Sequence, residues 1–403
     1  MTARSLTRRS VLAGAGSLVV GFSISRALAQ QGEVQATGGP KPAPKLPGSL
    51  ADAPHLDAWI RLDADGRVTV FTGKAELGQG LRTAILQIAA EELEVDPAGI
   101  TLVTADTAMT PNEGYTAGSQ SMQNSGTAIR HAAAQVREIL IAEAARRLGV
   151  PGDGLSAADG AVRTADGRAL RYGELVADVT LHVEAQVQSR LKDSGAFRHM
   201  GRSMARVDIP AKVTGGAAYV QDLRLPGTVH ARIVRPPSPA ARLMEVDPAA
   251  VEAMPGVMRV VRDGSFLAVV AEREWQAVKA MRALALAARW SDTPSLPRQA
   301  ELYPTLQKMV SEDGVVVEEG APPAGGRVLE ATYTRPYQMH GSIGPSCAVA
   351  LADGDALTVW SHTQGVFPDR SAIAAMLKMP RKSGLSSQAA RYAMKPPLEY
   401  PMT

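Results

Sequence analysis

Cysteine occurs once in the 403 residues, at Cys347. A lone thiol closes no internal disulfide, and an iron–sulfur cluster, which takes about four thiolates, has no ligand set in this chain. Cys347 is expected to act as a small buried hydrophobe. The seven histidines are scattered, with no two at metal-ligand spacing, which argues against a protein-ligated zinc centre. Strong charge of either sign is missing too. The formal net charge is +3, and Arg4, Arg8, Arg9 and Arg26 stand in residues 1–29 with no acid, so the remainder carries −1. No basic face argues for nucleic acid. The apolar run from Val11 to about Ile24 is short for a membrane span and is broken by glycine and serine.

What is present is ordinary globular material: 45% hydrophobic and 21% charged residues, enough for two or three domains and a large core. Thr7-Arg8-Arg9-Ser10-Val11-Leu12 sets an arginine pair before the apolar run, and Ala27-Leu28-Ala29 is a small-residue cleavage pattern. Together they resemble a twin-arginine export signal over residues 1–29, which implies a periplasmic location. An uncleaved leader would act as a weak membrane tether. Pro40, Pro42, Pro44 and Pro47 mark a spacer over 30–55.

The chain is organised around Gly73-Lys74-Ala75-Glu76-Leu77-Gly78-Gln79-Gly80. The alternating run Val68-Thr69-Val70-Phe71 predicts a strand before it. Leu81, Ala84, Ile85, Ile88, Ala89 and Leu93 predict a helix after it. A glycine turn opening a helix lets backbone approach a ligand, and the free N–H groups there attract an anion such as a pyrophosphate. The turn lacks a full Gly-x-Gly-x-x-Gly pattern, since Thr83 stands where the third glycine belongs. That weakens a nicotinamide-dinucleotide reading. Glu76, Glu91 and Glu92 read as solvated or structural. A second glycine-bearing loop, Thr110 to Ser121, runs into another long helix, which Ser119, Ser121 or Ser125 is placed to cap.

Further along, Ile60 and Leu62 pair across Asp65-Gly66 with Val68 and Val70 as a hairpin. Residues 152–181 read as small hairpins, 183–205 as a linker, and 206–291 as a compact α+β unit ending at Trp290. A charged linker over 292–326 precedes a third region. There Ala348-Val349-Ala350 and Leu357-Thr358-Val359-Trp360 read as paired strands around Asp353-Gly354-Asp355, followed by Ser361-His362-Thr363-Gln364 and a helix over 371–377.

Three blocks together resemble the molybdenum-binding subunit of the xanthine dehydrogenase and aldehyde oxidase family, in particular the isoquinoline 1-oxidoreductase branch. The first is Glu76-Leu77-Gly78-Gln79-Gly80 with Thr116-Ala117-Gly118-Ser119. The second is Asp208-Ile209-Pro210-Ala211-Lys212-Val213-Thr214-Gly215 with Tyr219 and Asp222. The third is Arg335-Pro336-Tyr337 and His340, then Leu357 to Gln364. The resemblance covers roughly 56–380. It implies an α+β fold: a molybdopterin-binding domain over 56–182, interrupted by an inserted a/b hammerhead domain over 206–291 and resumed over 327–380.

By position, the resemblance implies that Gly78, Gln79, Gly80, Thr116, Ala117, Gly118 and Ser119 hold the pterin and pyrophosphate of a molybdopterin cofactor, expected in its cytosine dinucleotide form. Gly118 matches a position beside the metal, and Gln364 matches the glutamine that bonds an oxygen on molybdenum. No side chain ligates the metal in the family. The implied activity is hydroxylation of an N-heterocycle or aldehyde with oxygen from water. A small iron–sulfur subunit is the implied partner, as the single cysteine independently requires, with a cytochrome c as a candidate electron acceptor. The match ends near Pro380, and 381–403 resembles nothing in the family. The family's catalytic glutamate lies beyond that point, so no catalytic residue is assigned and the chain is expected to be an incomplete copy. The competing expectation is a non-catalytic exported fragment that keeps the fold blocks without a working site.

Overall fold

The computed structural model describes residues 45–379, apart from 178–181, 292–295, 313, 318, 321–324, 328, 340, 342–343 and 355, together with the strand Met394–Lys395. The export signal, nearly all of the 30–55 spacer's proline-rich part, His340 and most of the 381–403 tail lie outside the described residues.

Strands β1 (Ile60–Leu62) and β2 (Val68–Thr72) form the expected hairpin, with Ile60 opposite Val70. Helix α1 (Leu81–Leu93) then crosses over to β3 (Ile100–Thr104), which runs parallel to β2 from Val68↔Ile100 to Thr72↔Thr104. This β2–α1–β3 unit is what places a glycine turn at the C-terminal end of the sheet's central strand. Every residue of β2 is buried, as befits the central strand between β1 and β3.

Helix α2 (Thr127–Leu148) lies against α1. Ala89, Ala90, Ala128, Ala132 and Ala133 are wholly buried between and beneath them, beside Ile85, Leu93 and Ile129. Small side chains let the two helices approach closely, and Ile85, Leu93 and Ile129, fully buried, contribute about 1.5–3 kcal/mol each. The Trp59 indole fills the centre of this core and donates its Nε1–H to Ala53 O at 2.9 Å. A three-stranded meander, β4 (Leu155–Ala158), β5 (Ala161–Thr164) and β6 (Ala169–Arg171), follows with its turn at 165–168. The short helix α3 (Tyr172–Val176) closes it.

The connection 183–205 is fastened along its length rather than loose. One face of α1 carries Thr83, Gln87 and Glu91 at four-residue spacing. Gln87 Nε2 donates to His199 O (2.8 Å) and Arg202 O (2.9 Å). Glu91 accepts from Arg198 N, His199 N and Met200 N, and pairs with Lys192 Nζ at 2.6 Å. Thr83 Oγ1 accepts from Val207 N. Glu92, next to Glu91, binds Arg130, Arg137 and Lys192 N. Glu91 and Glu92 are both fully buried. Of the two roles the sequence left open for them, the structural one holds and the solvated one does not.

The 206–291 unit starts with α4 (Ile209–Val213). It then forms β7 (His230–Ile233), β8 (Leu243–Val246), α5 (Ala249–Glu252), β9 (Val257–Asp263), β10 (Phe266–Ala271), α6 (Glu274–Ala287) and β11 (Ala288–Trp290). Its main sheet runs β7–β10–β9, and β8 pairs with β11. Leu267, Val269, Ala280 and Leu284 form its core. The stretch read as a linker after it contains α7 (Leu302–Lys308). In the third region, β12 (Ala348–Asp353) and β13 (Ala356–Ser361) pair as expected, and Met394–Lys395 (β14) lies parallel to β13.

Helix α8 (Val366–Met376) begins five residues before the predicted start. Pro368 falls in its first turn, where the missing N–H is not needed. Cys347 is half-buried beside Val220, Leu223 and Trp360, where burial pushes its thiol up. The structure is α+β throughout. Among the described residues no helix is long and apolar enough to cross a membrane.

Candidate functional site

Four stretches meet at the end of β2: Thr72–Ala75, the Gly78–Gln79–Gly80 turn, the 113–119 loop and Gln364. Ala75 is the common point. Its N–H donates to Thr116 Oγ1 at 2.8 Å, and its carbonyl accepts from Gln79 Nε2 at 2.8 Å. Thr116 in turn exchanges two hydrogen bonds with Gln364: Thr116 N to Gln364 O at 2.7 Å, and Gln364 Nε2 to Thr116 O at 3.0 Å. Ala75 also packs with Ala105, Val359, Val366 and Phe367. All the candidate residues are therefore joined through one chain of contacts. Among the described residues, no group of three His, Cys, Asp or Glu side chains is placed to hold a metal.

A buried polar cluster holds the loop from below. Thr72 Oγ1 lies 2.9 Å from Glu113 Oε2 and 2.7 Å from Ser125 Oγ, and Gly73 N donates to Glu113 Oε2 at 2.8 Å. Glu113 Oε1 is buried and takes no hydrogen bond among the described residues. Lys74 Nζ donates to Glu113 O at 2.6 Å and Tyr115 O at 2.9 Å. Burial pulls the Lys74 amine down, against the raising pull of Glu113 and Asp52. Their contacts escaped the sequence, because Thr72 and Lys74 stand about 40 or more residues from Glu113 and Ser125 and no local pattern links them.

Ser125 corrects an expectation. It is not a helix cap: neither Ser121 nor Gly126, which precede the two helical segments, makes a side-chain cap, and Ser125 is turned inward to Thr72. Met122–Gly126 is one turn of π-helix leading into α2, a wider turn of the kind found at functional positions. Ser125→Ala is expected to cost about 1–2 kcal/mol, because Thr72 keeps Glu113 while one buried hydroxyl pairing is lost. A shift of the urea midpoint at unchanged slope measures it.

The glycine turn differs from its expected state. Gly78 and Gly80 have φ of +104° and +87°, conformations that only glycine adopts freely. Their N–H groups point at a partner within the chain: Glu76 Oε1 accepts from Gly78 N (2.7 Å) and Gly80 N (3.0 Å), and Glu76 Oε2 accepts from Arg82 N (3.0 Å). The anion at the start of α1 is thus Glu76 itself. Gln79 is also turned back, its Oε1 accepting from Leu77 N at 2.6 Å. A carboxylate two and four residues ahead of the glycines was the available signal.

The second loop is the open one. Among the described residues, the N–H groups of Ala117, Gly118 and Ser119 donate to no other group, and all three residues are exposed. Gly118 and Ser119 take successive left-handed conformations, φ +66° and +57°. Holding the non-glycine Ser119 there costs of order 1–2 kcal/mol, a strain that clusters at ligand-binding positions. Free backbone donors on such a turn suit an anionic ligand. On this observation the 117–119 loop and Gln364 fit the phosphate and polar edges of a pterin cofactor, while the glycine turn is already satisfied.

Comparison with known proteins bears on this site. Residues 23–220 match the family described as molybdopterin cofactor-binding domain. The chain is 37% identical over 338 residues to one of the subunits of nicotinate dehydrogenase from Pseudomonas putida, covering 80% of this chain and 28% of that protein. It is 30% identical over 329 residues to the beta subunit of isoquinoline 1-oxidoreductase from Brevundimonas diminuta, covering 72% of this chain and 41% of that protein. Among solved structures, quinoline 2-oxidoreductase from Pseudomonas putida shares 30% identity over 29% of this chain and 15% of its own, with a TM-score of 0.26. The chain thus spans under half the length of these curated relatives. With the sequence blocks, the cofactor-binding domain match and the two curated relatives in agreement, the chain belongs to the molybdenum-binding subunits of the xanthine dehydrogenase and aldehyde oxidase family.

Proposed function

We propose that this chain is part of the molybdenum cofactor-binding subunit of an oxidoreductase that hydroxylates an N-heterocycle or an aldehyde with oxygen from water. The observation that carries the reading is the junction of Thr116 with Gln364 beside three unengaged backbone donors. The loop 116–119 would hold the cofactor's anionic and polar groups through the N–H groups of Ala117, Gly118 and Ser119. Gln364 keeps its Oε1 and one amide hydrogen for the same ligand, since only one N–H is committed to Thr116 O. Gly78, Gln79 and Gly80 would form the opposite rim, and Gln79 reaches a ligand by releasing Ala75 O. Once bound, the cofactor supplies the two-electron oxidation, and the chain's own residues bind and orient it.

The dinucleotide form of the cofactor, a small iron–sulfur partner subunit and a cytochrome c acceptor belong to the same reading. One cysteine gives these 403 residues no cluster of their own, which supports an electron acceptor held elsewhere in the assembly. Residues 1–29 support export to the periplasm by the twin-arginine route.

Elemental analysis tests the central claim. The chain purified from a host that makes the cofactor should carry molybdenum at near one atom per chain. A folded product without molybdenum would overturn it.

A further inference from the structure

Arg206 reaches from the start of the 206–291 unit to the glycine turn. Its Nη1 donates to Gly78 O at 2.8 Å, and its Nη2 stands 3.7 Å from Glu76 Oε1. The same guanidinium is gripped from the other side by Asp208, Nε to Oδ1 at 2.9 Å and Nη2 to Oδ2 at 2.6 Å. Asp208 is buried and also pairs with Lys212 Nζ at 2.6 Å. The paired guanidinium, foremost, holds the Asp208 carboxyl well below the usual carboxylate range, so Arg206 faces a fixed negative charge. A planar fork held on two edges is far less free to swing than a lone surface arginine. The side chain lies over Gly80, where an added Cβ would sit 3.7 Å from Nε.

We propose that Arg206, anchored by Asp208, is a positioning residue that locks the Gly78–Gln79–Gly80 turn, so that the 206–291 unit sets the shape of one rim of the cofactor site. The inference rests on the cofactor-binding reading and adds to it a control point outside the glycine motif. Its physical content is simple. The turn has two positive-φ glycines and no side-chain packing of its own. Its conformation is held by Glu76 and Gln79 from inside and by Arg206 from outside. Removing the outer contact frees the Gly78 carbonyl and leaves the partly buried Glu76 without its cation.

Two measurements test it on the full chain. Arg206→Ala should raise the amide exchange rates of Gly78 and Gly80 at least tenfold, while amides inside α1, from Ile85 to Leu93, keep theirs. In cofactor-loaded protein, the rate of molybdenum loss on dialysis should rise at least tenfold, well below the melting temperature. Asp208→Asn keeps the guanidinium but removes its charged anchor and should lie between wild type and Arg206→Ala. Arg206→Lys should recover only part, because a compact ammonium lacks the planar fork that meets Asp208 through Nε and Nη2 and Gly78 O through Nη1. Unchanged exchange at Gly78 and Gly80 would overturn the proposal, as would molybdenum loss that follows only the melting temperature. If wild type holds no molybdenum, the function reading fails and amide exchange alone decides the role of Arg206.

Discussion

Glu91→Ala is expected to destabilise the protein by about 3 kcal/mol at neutral pH, with amide protection lost first over 192–202. The carboxylate is fully buried, yet it gathers Lys192 Nζ and the N–H groups of Arg198, His199 and Met200. Burial alone pushes this carboxyl up. The Lys192 ammonium and the backbone donors of His199, Met200 and Arg198 outweigh it and bring it down to about 2.

The sign of the pH effect follows. A carboxyl whose folded value lies below its unfolded value stabilises the fold fully above the unfolded value, near 4.5, and progressively less as pH falls towards 2. The displacement corresponds to about 3 kcal/mol at 1.4 kcal/mol per unit. Urea unfolding of wild type and Glu91→Ala at several pH values checks this. The gap between them should be full at pH 7 and should lose most of its charge-dependent part near pH 2. A gap that stays constant with pH would show that Glu91 acts through packing alone.

Gly73→Ala is expected to cost about 3 kcal/mol and to abolish molybdenum retention. A Cβ at residue 73 would stand 2.2 Å from Pro111 O and 3.0 Å from Glu113 N. Both neighbours are backbone, so no side chain can rotate away, and β2 must separate from the 111–116 loop. That movement breaks the Gly73–Glu113 bond and carries Thr116 away from Ala75. Gly78→Ala is the matching control. Nothing lies within 4 Å of its Cβ, but φ is +104°, so its cost is conformational, about 1–2 kcal/mol. Thermal melts separate the two, with Gly73→Ala the lower. Equal melting temperatures would remove the clash argument.

These cases mark how far the sequence carried. Strand β2, the glycine turn and α1 were readable because each announces itself locally: alternation, then glycines, then apolar residues at helical spacing. The β12–β13 hairpin was readable for the same reason. What the turn does with its N–H groups was not, because Glu76 looks the same in sequence whether it faces solvent or folds back on Gly78 and Gly80. Thr83, Gln87 and Glu91 follow a four-residue period that was available to be read. Polar residues at that spacing are usually a solvated helix face, and only the packed 192–207 segment shows otherwise. Ser125 failed as a cap for a comparable reason, since its partner Thr72 lies 53 residues away. The Thr116–Gln364 junction spans 248 residues and leaves no local trace at all; position in a family pattern was the only guide to it.

That junction also fixes an order of events during synthesis. Each doubling of a loop adds only about 0.6 kcal/mol to the entropy of closing it, so a long connection is thermodynamically tolerable. Kinetically it is not neutral, because distant contacts form after near ones. The β2–α1–β3 unit, α2 and the loop 113–119 can assemble as soon as their own residues leave the ribosome. Gln364 arrives much later and must find a Thr116 that is already in place. For the interval between, one wall of the site waits without its counterpart. Any ligand held by both walls can be secured only after translation has passed Gln364 and α8 has packed against Ala75, so the first wall alone cannot retain it.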